Sequence, residues 1–178
     1  MQPAQTAFLS LGSNLGDRAE FIERAIAALP GVGVRVIRSS AIYETEPVDA
    51  PVQGWFLNLA LEVETALAPD ALLAALLLIE RSLGRERAVP RGPRTIDMDI
   101  LLYGDRVVRE PGLTIPHPAM AARRFVLAPL AELAPTLRHP VLHRTIAALL
   151  ADCPDESGLR IWNPSSTASD GINSIGES

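Results

Sequence analysis

A ten-residue run, residues 56–65, constrains the fold more than any other stretch of this sequence. Leu59, Leu61 and Val63 alternate with Ala60, Glu62 and Glu64. Successive side chains of an extended chain point to opposite faces, so the alternation predicts a strand with one apolar face and one face toward solvent. Such a strand needs neighbours and a covering layer. Residues 7–10 read as a short buried strand, 34–43 as a second and 95–103 as another. Gly12 to Gly16 reads as a turn. Residues 17–29 predict a helix with Ile22, Ala25, Ile26 and Leu29 on one face, ended by Pro30-Gly31. Residues 70–83 predict a second helix, opened by Pro69 and closed by Gly84. Residues 45–54 form a loop, and Gly104-Asp105 turns into a short partner strand at 107–108. A proline-rich loop then runs to Pro118, and 123–133 and 145–151 are helical.

The order strand, helix, strand, strand, helix, strand predicts an α+β, ferredoxin-like two-layer sandwich. It has an antiparallel sheet with helices mainly on one face, and extra C-terminal helices. No repeat or interior linker divides the chain, so residues 1–155 read as one domain. Residues 156–178 are rich in Ser, Gly, Asn and Asp and are expected to be a disordered tail.

A formal net charge of -5 argues against a general binder of nucleic acid or of a membrane surface. All 16 Lys+Arg residues are arginine. Chemistry that requires a lysine amine is therefore excluded, and any bound anion must meet guanidinium groups, backbone N–H groups or a metal. Cys153 is the single cysteine, so an intrachain disulfide is impossible and a reducing cytoplasm is expected. The N-terminus lacks the pattern of a signal peptide, and the apolar run 72–79 is too short to span a bilayer.

The most informative segment is Ile96-Asp97-Met98-Asp99-Ile100. In a strand, Asp97 and Asp99 share one face while the three apolar residues take the other. Two adjacent carboxylates repel, and a divalent cation relieves the repulsion. Magnesium commonly combines one or two carboxylates with substrate phosphates. An isolated Asp-x-Asp is more often an exposed strand face. Here the pair lies in an apolar strand, which aspartate disfavours. It also follows a cluster of Arg81, Arg85, Arg87, Arg91 and Arg94. Guanidinium groups match phosphate oxygens, and arginines beside metal-binding aspartates suit phosphoryl transfer. The same loop also reads as a solvated basic segment paired with Glu80 and Glu86.

Other positions are ambiguous by themselves. His117, between Pro116 and Pro118, could bind a phosphate or cap a turn. Asn58 could read a heterocycle edge or satisfy a strand end. Phe56 and Phe125 could stack on a planar ring or belong to the core. The three histidines and one cysteine lack zinc-ligand spacing.

Several segments together resemble one family. They are Leu11-Gly12-Ser13-Asn14-Leu15-Gly16-Asp17, Tyr43-Glu44-Thr45-Glu46-Pro47 with Phe56-Leu57-Asn58, and Gly84-Arg85-Glu86-Arg87. Gly92-Pro93-Arg94-Thr95-Ile96-Asp97-Met98-Asp99-Ile100, Ile115-Pro116-His117-Pro118 and Arg123-Arg124-Phe125 follow. The chain is similar, in order from about Ala7 to Pro135, to 6-hydroxymethyl-7,8-dihydropterin pyrophosphokinases. That resemblance implies pyrophosphate transfer from ATP to the pterin alcohol, with AMP leaving, in folate biosynthesis. It implies two magnesium ions held by Asp97 and Asp99, and phosphates stabilised by Arg85 and Arg94. Glu80, Arg87, Ile100, Thr114, His117 and Arg123 would line the ATP site. Thr45, Pro47, Val48, Phe56, Asn58 and Phe125 would line the pterin site, with the two phenylalanines sandwiching the ring. Family members commonly carry Arg-Trp where this chain has Pro90-Arg91. A cytoplasmic monomer is expected. The competing readings are another magnesium-dependent phosphoryl or nucleotidyl transferase, and a non-catalytic ligand-binding module.

Overall fold

A computed structural model of the chain describes residues 2–47, 54–85 and 94–164. The fold is ferredoxin-like and α+β. Its elements in chain order are β1 (Gln5–Ser13), α1 (Arg18–Ala28), β2 (Val34–Ser39), β3 (Tyr43–Thr45), β4 (Phe56–Thr65) and α2 (Pro69–Ser82). They continue with β5 (Asp97–Tyr103), β6 (Val108–Glu110), β7 (Leu113–Ile115), α3 (Arg124–Leu133), α4 (Ile146–Ala151) and β8 (Leu159–Ile161).

The main sheet runs β5-β1-β4-β3-β8, and β2 also pairs with β4. All of these pairings are antiparallel. The strand expected over 34–43 is broken in two: β2 lies along the far half of β4 and β3 along its near half. Ser40 makes the break. Its N–H donates to Ala60 O (2.9 Å), and its hydroxyl accepts the Ala60 N–H (2.9 Å). β1 is longer than expected and absorbs Gly12 and Ser13, which read as a turn in the sequence. The short strand expected after Gly104 does form, but its partner is β7.

Local chemistry sets the helix ends. The Asp17 carboxylate accepts the Glu20 N–H at the start of α1 (3.1 Å). Pro69 opens α2, and Gly84, at φ +83°, follows its end in the left-handed conformation that favours glycine. The Thr145 hydroxyl caps α4.

Two apolar layers enclose the sheet. Leu9, Leu11, Leu59, Leu61, Met98 and Ile100 pack under α1 and α2. On the opposite face, Phe8, Ala60 and Leu102 pack against α3 and α4. The second face of β4 was expected to meet solvent. Ala60 is buried there because the extra C-terminal helices cover it. A register shift opposite Phe8/Leu9 leaves Leu101 as the extra residue in β5. Leu101 and Leu102 therefore both contribute to the α3 layer.

Residues 156–164 depart from the expected disordered tail. They include β8, which extends the sheet beyond β3. Their polar composition misleads because the strand is held by backbone pairing and charge contacts, which need no apolar sequence. Residues 165–178 lie outside the described residues.

Candidate active site

Strand register places four residues from distant parts of the chain in one row. Asp97 of β5 lies opposite Gly12 of β1, Gly12 opposite Asn58 of β4, and Asn58 opposite Tyr43 of β3. Paired residues share a face, so all four project toward the α3 side. Neighbouring strands lie about 4.8 Å apart, which puts the backbones of Asp97 and Asn58 about 10 Å apart.

At the β4 end of the row, Asn58 is 4% exposed and Thr45 is also buried. Asn58 Nδ2 donates to Thr45 Oγ1 (2.5 Å), which orients the amide. Gly12 makes room for it, since a Cβ there would stand 2.5 Å from Asn58 Oδ1. Phe56 pairs with Thr45 and lies half-buried on the same face, with Pro47 just past β3. The sequence-predicted Thr45, Phe56 and Asn58 thus form one patch. Val48, Arg87 and Arg91 lie outside the described residues.

At the β5 end, both oxygens of Asp97 are engaged by arginine. Arg85 bonds Oδ1, and Arg94 Nη1 donates to Oδ2 (2.9 Å). Glu80, from α2, is 2% exposed. Its Oε2 accepts from Arg85 Nη1 (2.6 Å) and from the Met98 N–H (2.8 Å). Glu80 therefore lies beneath the site, where it aims Arg85 and anchors the start of β5. Burial opposes the charge of Arg85, but Asp97 and then Glu80 outweigh it and hold the guanidinium more firmly protonated. Asn14 was not singled out by the sequence reading, yet it holds Arg94 at two points. Arg94 N–H donates to Asn14 Oδ1 (2.7 Å), and Asn14 N–H donates to Arg94 O (3.1 Å). Its side-chain amide also donates to Gly54 O (3.3 Å). Nothing in the sequence except the turn-forming character of asparagine points to this clasp.

Asp99 shares the face of Asp97 and carries no hydrogen bond or ion pair among the described residues. Its carboxyl is raised to about 7, first by burial and then by the charges of Asp97 and Glu80; Arg85 and Arg123 act in the opposite sense. A carboxylate held in repulsion is the donor that an oxygen-seeking divalent cation neutralises, so this pair fits magnesium. No cluster of three or more acidic, His or Cys side chains able to hold a metal occurs among the described residues. Magnesium commonly completes such a pair with substrate oxygens and water.

Beside Asp99 lies a cleft of about 270 Å³. Asp99, Ile100, Thr114 and His117, all sequence-predicted, line it together with Leu73 and Leu113, which were not predicted. Leu73 sits on α2 at a position whose apolarity reads as ordinary core. His117 Nδ1 accepts the Ala119 N–H (3.2 Å), which leaves Nε2 as the protonated nitrogen of the neutral ring. Burial, then Arg123, lowers the His117 pKa, with Asp97 acting the other way. The ring is thus a neutral donor at pH 7. Arg123 stacks over the Phe125 ring, 5.6 Å from its centroid. The expected ATP-side arginine and the expected pterin-side phenylalanine meet there at the start of α3.

Residues 8–135 match the family model of 7,8-dihydro-6-hydroxymethylpterin-pyrophosphokinase. The chain is 41% identical over 169 residues to the Bacillus subtilis 2-amino-4-hydroxy-6-hydroxymethyldihydropteridine pyrophosphokinase, covering 94% of this chain and 96% of that one. It is 42% identical over 144 residues to the folic acid synthesis protein fol1 of Pneumocystis carinii, covering 81% of this chain and 20% of that one. The chain thus spans about a fifth of that fungal relative's length. Its fold is similar to that of the Plasmodium falciparum HPPK-DHPS crystal structure with pterin and p-hydroxybenzoate. The TM-score there is 0.67 at 19% identity, over 84% of this chain and 42% of that one. Matched over most of its length and 41% identical to a relative that it spans almost end to end, the chain belongs to the 7,8-dihydro-6-hydroxymethylpterin-pyrophosphokinase family.

Proposed function

We propose that this chain transfers a pyrophosphoryl group from ATP to 6-hydroxymethyl-7,8-dihydropterin, releasing AMP, as a step of folate biosynthesis. The row Asp97–Gly12–Asn58–Tyr43 carries the reading. It sets an arginine-bound carboxylate about 10 Å, two strand spacings, from a buried amide with an oriented donor and acceptor. That interval suits a small heterocycle held by Asn58 and Thr45 with its alcohol directed toward the phosphates.

In the proposed reaction the pterin hydroxymethyl oxygen forms a bond to the β-phosphorus. The bond from that phosphorus to the α,β-bridging oxygen breaks, AMP carries the bridging oxygen away, and the hydroxyl proton is released. Arg85 and Arg94 turn from Asp97 toward the phosphate oxygens, where charge shifts during transfer. Asp97 and Asp99 would hold the magnesium ions, two in this reading, which neutralise phosphate charge when bound. His117 and Thr114 line the cleft proposed for the nucleotide. Arg123, stacked on Phe125, joins the two substrate sets.

The direct test is incubation with ATP, magnesium and the reduced hydroxymethylpterin, with AMP expected in step with pterin consumption. ADP in place of AMP would indicate simple phosphoryl transfer, and no nucleotide product would indicate a binding module; either outcome rejects the reading. A second expectation concerns Gly12→Ala. The added methyl forces Asn58 off Thr45. The pterin KM should rise about tenfold, with a stability loss of about 1–3 kcal/mol. An unchanged KM would remove Asn58 from the pterin site.

A single catalytic domain, running at least to Ile161 because β8 belongs to the sheet, is part of the same proposal, as is a cytoplasmic monomer. Its supports are the single cysteine and the use of ATP. Among the described residues no helix is long and apolar enough to cross a membrane.

A further inference from the structure

We propose that residues 155–162 are a positioning strap for the pterin side of the site, fixing the spacing between the start of α3 and the end of β3 with Glu46 and Trp55. The inference rests on the pterin reading above and concerns a part of the chain that the family match, ending at residue 135, does not reach.

The strap is fastened on both sides. On the sheet side, β8 pairs with β3, with Leu159 opposite Thr45. Glu46 N–H donates to Gly158 O (3.0 Å), and Gly158 N–H donates to the Glu46 carboxylate (2.9 Å). Arg160 bonds Glu44 and lies over the Trp55 ring, 5.2 Å from its centroid. Glu46 and Trp55 are thus both tied to the strap. On the helix side, the Asp155 carboxylate accepts the Arg124 N–H (3.0 Å) and the Ser157 N–H (2.9 Å). The Arg124 guanidinium donates to Ser157 O (3.2 Å). Arg124 immediately precedes Phe125.

Position within α3 gives these contacts their meaning. At the far end of the helix, the Glu132 carboxylate accepts the Ala41 N–H (2.7 Å) and the Tyr43 hydroxyl (2.8 Å). The strap supplies the matching tie at the near end. A ring bound between Phe56 on β4 and Phe125 on α3 needs those two elements at a fixed separation. Ordering them before the ligand arrives lowers the cost of binding. A strap of this kind acts chiefly on pterin affinity, with a smaller effect on ATP affinity through Arg123, which stacks on Phe125, and leaves the chemical step alone.

The test uses the full chain with Asp155→Ala and, separately, Gly158→Val. The first removes the carboxylate that holds Arg124. The second drives a side chain into Trp55, since a Cβ at this position would already stand 2.9 Å from that ring. Pterin Kd by ligand fluorescence and pterin KM should both rise about three- to tenfold in each variant, the cost of ordering a few side chains anew. Within about twofold, kcat and the ATP KM should hold. Arg35→Ala, which removes an exposed ion pair to Glu64, is the control and should alter neither. Unchanged pterin affinity in folded Asp155→Ala protein, or a parallel rise in the ATP KM, would overturn the strap. Absence of AMP formation by the unsubstituted chain would instead overturn the pterin reading itself.

Discussion

Turnover by the Asp97→Ala protein is expected to fall by a factor of about 10³ or more, measured as AMP formation at saturating substrates. Asp97 is the hub of the charged cluster. One oxygen is held by Arg85 and the other by Arg94, while Asp99 stands on the same face two residues on. In the proposed reading its loss removes a metal donor, and it also frees both guanidinium groups from the carboxylate that holds them. Stability should drop by about 1–3 kcal/mol, because the buried Arg85 keeps Glu80 but loses its stronger partner. Pterin binding should survive, since Asn58 and Thr45 lie two and three strands away and depend on Gly12 and on each other. Near-normal turnover in a folded Asp97→Ala protein would reject the metal assignment.

Asp99→Asn should abolish most turnover yet raise the thermal stability of the metal-free protein above pH 7. The Asp99 carboxyl is raised from its ordinary 3.8 to about 7, chiefly by burial and by the charge of Asp97. Between those two pH values the unfolded chain is ionised and the folded one is not, so the folded state loses stability as pH rises through that window. Above about 7 both are ionised and the whole cost is present. Below about 4 both are protonated and the cost vanishes. Asparagine carries no such charge. The Tm difference between the variant and the parent should therefore be near zero at pH 4 and grow until about pH 7. On the order of a few kcal/mol, it corresponds to about 2–4 °C per kcal/mol for a chain of this size. Magnesium with ATP should stabilise the parent and erase the difference, because a bound cation favours the ionised form. A Tm difference independent of pH would show that Asp99 does not bear this charge burden.

The two carboxylates show how function and stability oppose each other at this site. Asp97 is compensated by arginine, whereas Asp99 is left in repulsion inside a cleft. Such a group disfavours the empty fold and favours whatever positive charge fills the gap.

Much of the site was legible because its logic is local. The same-face placement of Asp97 and Asp99 follows from the period of two in any strand. The start and end of α2 follow from Pro69 and Gly84, whereas Asp17 and Thr145, read as helical, are the N-caps whose side chains accept backbone N–H groups. The family resemblance supplied Thr114 and His117, which sequence periodicity could not have joined to Asp99. The cleft brings all three together.

Less legible were the features that depend on which segments pair. The sequence offered Glu80 as a partner for the arginine loop, and the resemblance put it in the ATP site; only the packing of α2 on β5 buries it and turns it toward both Arg85 and Met98. The break at Ser40 and the extra residue Leu101 are register events, invisible to alternation. β8 is polar and short, and its strand character comes from Tyr43, Glu44 and Thr45 across the ladder.

Sequence alone determined the strand period, the ends of α2, the exclusion of lysine chemistry and the carboxylates with their arginines. Each of these rests on sterics or on charge within a few residues. Tertiary structure alone decided that residues 12, 43, 58 and 97 form one row, that Glu80 lies beneath it, and that the chain's later segment returns to pair with β3 and to hold the Arg124 N–H. Those outcomes depend on contacts between residues dozens of positions apart, whose register is chosen by the burial of whole sheet faces.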